Sequence, residues 1–114
     1  MNNILILTLI NQVKNVLVKS GIKEPAHLTL FANYETDKLE AKVRTESGEI
    51  KTSELSLSQN SQFTDIVKQQ VKNKLKFDKI NLLILYIDLL ECSVTSDVYY
   101  ILNGEKLFLK LEKI

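Results

Sequence analysis

Residues 79–90 read Lys79-Ile80-Asn81-Leu82-Leu83-Ile84-Leu85-Tyr86-Ile87-Asp88-Leu89-Leu90, and the reading of this run decides the fold. As a strand its side chains alternate. Leu82, Ile84, Tyr86 and Leu90 take one face, and Leu83, Leu85, Ile87 and Leu89 take the other. Both faces are apolar, as in a strand covered on both sides. A helix over 80–91 is the competing reading, because a short leucine-rich run fits either period.

The segments downstream favour the strand. Asp97–Leu102 and Lys106–Glu112 alternate in the same way, and Asn103–Gly104 lies between them. Asn-Gly is a strong hairpin signal, since a type I′ turn requires positive φ at both central residues. Upstream, Asn60 and Ser61 are placed to cap a helix over Gln62–Lys76. Phe63, Ile66, Val67, Val71 and Leu75 form its narrow apolar stripe. Before that helix, three strands are expected at His27–Glu35, Leu39–Thr45 and near Glu49–Leu57, joined by turns at Thr36–Asp37–Lys38 and Ser47–Gly48. The first helix spans about Ile4–Ser20. Ile6, Leu9, Ile10, Val13, Val16 and Leu17 share one face, Asn2 or Asn3 caps the start, and Gly21 takes a left-handed C-cap. Residues 4–10 alone also fit a buried strand.

The order is therefore α-βββ-α-βββ: one α+β domain over residues 1–114, a mostly antiparallel sheet with two helices on one face. Two pseudo-repeats, about 1–58 and 59–114, are visible. Val13–Lys14 aligns with Val67–Lys68, Leu28 and Leu30 with Leu82 and Ile84, and Ser47–Gly48–Glu49 with Asn103–Gly104–Glu105. Internal duplication and coincidence between two similar topologies both account for this. In element order alone the chain is similar to one sliding-clamp domain, to cystatin-like duplicated folds and to small secretion-chaperone folds. No motif selects among them.

Composition narrows the function classes without choosing one. The chain has 114 residues, 45% hydrophobic and 25% charged, with a net charge of +1. A dedicated nucleic-acid binder usually carries more positive charge. Fourteen of the fifteen basic residues are Lys and only Arg44 is Arg, whereas bidentate phosphate or guanine recognition favours Arg. Cys92 is the sole cysteine, so no internal disulfide exists. The apolar N-terminus lacks a basic leader and a cleavage motif, and no stretch approaches a membrane span, so a cytoplasmic location is expected.

No catalytic signature is found. His27 is the only histidine, too few for a His/Cys zinc site, and a Cys92–His27 nucleophile pair has nothing in this order to bring it together. No phosphate loop, dinucleotide fingerprint or nucleophile elbow is present. No metal or cofactor is expected. Asp88, inside the apolar run, is the one carboxylate whose pKa burial would raise; the alternative is that it points to solvent at a strand end.

Charge and apolar surface carry the functional expectation. Residues 1–34 and 55–80, which hold the helices, sum to +2 and +3, while 35–54 and 81–114 sum to −2 each. Helices on a common face would give a basic helical side and an acidic open side. Lys68, Lys72, Lys76 and Lys79 are candidate contacts for nucleic acid or an acidic partner, although a solvated helix end explains the same residues. The sharper inference concerns the sheet. Two narrow helices cover one face, which leaves Leu83, Leu85, Ile87, Tyr99, Ile101 and Phe108 as a patch larger than a monomer usually exposes. These residues are expected to form a protein interface in a non-catalytic homo-oligomer or assembly module of the adaptor, inhibitor or phage-structural kind. A sheet that curls and buries both faces internally is the alternative.

Overall fold

The structure is a computed structural model and describes residues 3–57 and 62–112. Its elements are α1 (Asn3–Lys19), β1 (Pro25–Asn33), β2 (Lys38–Thr45), β3 (Ile50–Ser56), α2 (Gln62–Lys74), β4 (Lys79–Asp88), β5 (Ser93–Leu102) and β6 (Glu105–Leu111). The α+β order matches the expectation, and residues 79–88 are strand, not helix. The caps proposed at Asn2, Asn60 and Ser61 lie outside the described residues.

α1 ends as its glycine requires. Gly21 has φ +92°, with Gly21 N–H donating to Val18 O at 3.1 Å and Ile22 N–H to Leu17 O at 3.1 Å. This pair of bonds is a Schellman cap. Pro25 opens β1 rather than preceding it, since the first residue of a strand need not donate to the ladder. Asn103 and Gly104 have φ +52° and +79°, as a type I′ turn demands.

The six strands form one antiparallel sheet in the order β3-β2-β1-β4-β5-β6. That order reads the same from both ends, with the β1–β4 pair at its centre. Leu30 lies opposite Leu85 there. The turns after β1 and β4 also match. Asn33 Oδ1 accepts from the Glu35 and Thr36 N–H groups, and Asp88 Oδ1 accepts from those of Leu90 and Glu91. Asp37 and Cys92, four residues beyond each cap, both have φ +54°. The two halves therefore correspond at a spacing of 55 residues through these strands. Aligning Leu28 and Leu30 with Leu82 and Ile84, at 54, equates opposite sheet faces; the structural equivalents are Leu83 and Leu85.

Both helices pack on one face. A single core joins Ile6, Leu9 and Ile10 of α1 and Phe63, Val67 and Val71 of α2 to Leu28, Leu30, Ala32, Leu39, Val43, Leu83, Leu85, Ile87, Val94 and Val98 of the sheet. The pairing shifts by one residue between Ile80 and Leu82, so Ile80 and Leu83 fall on the same side. Ser96 is the polar exception on this face. It is fully buried between β4 and β6, and its Oγ has no hydrogen-bond partner.

Candidate functional site

The helices leave the opposite sheet face open. The register places Phe31 of β1, Leu82, Ile84 and Tyr86 of β4, Tyr99 and Ile101 of β5, and Phe108 of β6 on it. Leu82 lies opposite Tyr99, and Tyr99 opposite Phe108. The Tyr99 and Phe108 rings meet with centroids 5.0 Å apart, and they remain 39% and 53% exposed. Tilted rings at this separation attract through their quadrupoles, yet half of this aromatic surface stays in water.

Half of the expected interface is thereby reassigned. Leu83, Leu85 and Ile87 are 0%, 0% and 1% exposed and lie beneath the helices in the protomer's own core, so they are not an intermolecular surface. Tyr99, Ile101 and Phe108 are on the open face as expected, but their β4 neighbours are Leu82, Ile84 and Tyr86. The reason is additive burial across strands. Seen along β4 alone, both faces are apolar. Across the sheet, the Leu83 face continues into Leu28, Leu30, Val94 and Val98, whereas the Leu82 face continues into His27, Thr29, Asn33, Ser93, Thr95 and Asp97. Burying the second set would strand many polar groups without partners.

The open face is not acidic either. Lys38, Lys42 and Arg44 of β2 and Lys106 and Lys110 of β6 share it with Glu40, Glu54, Asp88 and Asp97. Charge summed along sequence segments missed this, because alternate residues of one strand belong to different surfaces.

Two polar arrangements punctuate the face. Near its middle, the Tyr86 hydroxyl donates to Asp97 Oδ2 at 2.8 Å, while Asp97 Oδ1 is buried with no partner. Desolvation, and then the hydrogen bond and charge of Asp97, push the Tyr86 phenol up to about 12. At the end where β1 starts and β4 stops, Arg44, His27 and Asp88 line up across three adjacent strands. Arg44 Nη2 donates to His27 Nδ1 at 3.0 Å. Guanidinium cannot accept, so Nδ1 is the bare nitrogen and Nε2 carries the hydrogen. Nε2 lies 3.5 Å from Asp88 Oδ2.

Asp88 departs from the burial-raised carboxyl considered above. The Glu91 N–H, with the Leu90 N–H and His27 behind it, holds its carboxyl below the usual range and outweighs partial burial. It is a turn cap that also orients a histidine. The β1–β4 pairing does bring His27 near the turn that holds Cys92, contrary to expectation. Cys92, however, packs against the hydrophobic core, and the two ring nitrogens of His27 face Arg44 and Asp88. Among the described residues, no group of three or more His, Cys, Asp or Glu could hold a metal ion.

The lysine candidates lie on α2, on the connection after it and at the start of β4. The Lys68 ammonium sits over the Tyr34 ring, 4.7 Å from its centroid. Lys72 is exposed in the last turn of α2, where the helix dipole favours it. Lys76 lies in the connection to β4, and Lys79 is the first residue of that strand. A second apolar exposure lies at the start of α1, where Ile4, Leu5 and Leu7 reach solvent.

Compared with known protein families, curated proteins and solved structures, the chain matches none. No helix among the described residues is long and apolar enough to cross a membrane.

Proposed function

We propose that the protein is a non-catalytic interaction module that docks through the Tyr99–Phe108 quarter of its open sheet face, with a second copy of the chain as its partner. The exposed, mutually packed ring pair carries this reading. Leu82 and Ile101 adjoin the pair, and the patch runs out to β6, an edge strand of the sheet. An edge strand offers unpaired backbone groups beside the apolar surface. At the usual size of an aromatic side chain, Phe108 and Tyr99 together expose on the order of 200 Å². A two-fold contact doubles that contribution, because the same patch is supplied by both copies. Burial at about 25 cal/mol per Å² then favours association by roughly 10 kcal/mol before the entropic cost of binding.

Light scattering coupled to size exclusion, from about 10 µM to 1 mM, tests this. The expected result is a species heavier than the 13.1 kDa chain, reduced to monomer by Phe108→Glu with the far-UV circular dichroism spectrum of the folded chain retained. A wild-type protein that stays monomeric at 1 mM overturns the reading. Binding to DNA or RNA that falls steeply with salt and is lost on changing Lys68, Lys72 and Lys76 to Glu would assign the protein to nucleic acid instead.

A further inference from the structure

Arg44 is the chain's only arginine, and it is pre-positioned. Two lysines of the sheet have partners, Lys38 with Glu54 at 3.5 Å and Lys51 with Glu49 at 3.6 Å. Among the described residues, neither Arg44 nor Lys42 has a carboxylate within ion-pair distance. What Arg44 has is an orienting chain. Two turn N–H groups fix Asp88, Asp88 faces the His27 Nε2 hydrogen, and His27 Nδ1 receives one guanidinium hydrogen. A guanidinium carries five N–H donors, so most of the fork remains unused. Holding it in place in advance lowers the ordering cost that a free arginine would meet on binding.

The fork opens onto a shallow cleft of about 640 Å³ at this end of the open face. Phe31, Tyr86 and the exposed Ile50 give it apolar walls, and Lys42, two residues from Arg44 on the same side of β2, adds a second cation. Thr29 and Thr95 supply hydroxyls. We infer that this cleft binds a carboxylate carried on an apolar protein segment, an acidic side chain next to an aromatic or aliphatic one, with Arg44 as the fork and Lys42 as the supporting charge. A single negative charge fits better than a phosphate dianion, because Asp88 also lines the cleft and repels excess negative charge. The cleft lies diagonally across the face from Phe108, so the inference stands on residues separate from the self-association patch.

The chain's composition makes the test direct. One arginine and one histidine give one Arg Nε–Hε resonance and one imidazole spin system, each assigned by identity. The probe is a blocked six-residue peptide with one glutamate beside a phenylalanine. Its control has glutamine in place of the glutamate, and both are titrated into isotope-labelled wild type and into the Phe108→Glu variant. The glutamate peptide is expected to move the Arg44 and His27 signals saturably in both proteins, and the glutamine peptide to bind at least about tenfold more weakly. Arg44→Lys keeps the charge but loses the fork, so it should weaken binding about tenfold, while Lys72→Gln on α2 should leave it unchanged. Equal binding by the two peptides, undiminished binding by Arg44→Lys, or unmoved Arg44 and His27 signals at millimolar peptide overturns the inference. So does tighter binding of an eight-nucleotide oligo(dT) at the same signals, which would assign the cleft to single-stranded nucleic acid. None of these outcomes bears on the Phe108-dependent mass, so the two proposals fail separately.

Discussion

Leu85→Ala measures which sheet face is the core. Leu85 is fully buried at the centre of the sheet, opposite Leu30 on β1 and Ser96 on β5. Truncation removes three carbons from a site walled by strands on both sides and helices above, where collapse is hard. Lost transfer energy plus the residual cavity should cost about 3–5 kcal/mol. The partnerless Ser96 hydroxyl borders the site, and a water entering beside it would pull the cost toward the lower end. Phe108→Ala is the internal control. Phe108 is 53% exposed, so its removal forfeits the Tyr99 ring contact and half a ring's burial, about 2 kcal/mol. The two costs should thus differ about twofold. Urea unfolding followed by far-UV circular dichroism, in dilute samples and with unchanged denaturant slopes, gives both numbers. For a chain of this size Leu85→Ala should also lower Tm by about 15 °C. A Leu85→Ala cost under about 1.5 kcal/mol, or a Phe108→Ala cost equal to it in a monomeric sample, would mean that the faces are assigned the wrong way round.

Asp88→Asn should preserve the β4–β5 turn, because Asn33 already makes the same cap in the first half, and should weaken only the pull on His27; Asp88→Ala should cost about 1 kcal/mol more. The carboxyl's pKa is lowered by folding, so the unfolded chain protonates first and stability falls as pH drops below the ordinary carboxylate value. Denaturation curves between pH 2 and 6 should show a shallower acid limb for Asp88→Asn, and an identical limb refutes the assignment. The Tyr86 phenol is raised to about 12, so stability should instead fall as pH climbs past 10, where the unfolded tyrosine ionises first. In ultraviolet titration, Asp97→Asn should bring one tyrosine down from that range. A titration curve superimposable on wild type would remove Asp97 as a contributor and leave desolvation alone.

The local features of the fold were legible because each depends on residues near in sequence. Gly21 ends α1 since φ there is positive, and Asn103–Gly104 turns β5 into β6 for the same reason. That two-residue turn fixes the β5–β6 register, which is why Tyr99, Ile101 and Phe108 were correctly grouped on one face. The β4–β5 register was not legible. Residues Ser93–Ser96 carry no apolar alternation strong enough to mark a strand, so β5 was expected to begin at Asp97 instead of Ser93. With the turn's length hidden, nothing set Tyr99 against Leu82 rather than Leu83. The Arg44–His27–Asp88 row was invisible for a similar reason, since its members stand 17 and 61 positions apart in the chain and meet only through the β2–β1–β4 pairing.

The amino-acid order alone pointed to two helices and six strands, with a helix over 80–91 as the competing reading, and determined that the last strands are oily on both sides and that the chain carries one arginine, one histidine and one cysteine. Only the tertiary structure decided which oily side the helices take. That choice is a property of the whole face, summed over neighbours that sit side by side only once the strands have paired. It costs least to bury the face that continues through Leu28, Leu30, Val94 and Val98, and so Tyr99 and Phe108 are left to the water.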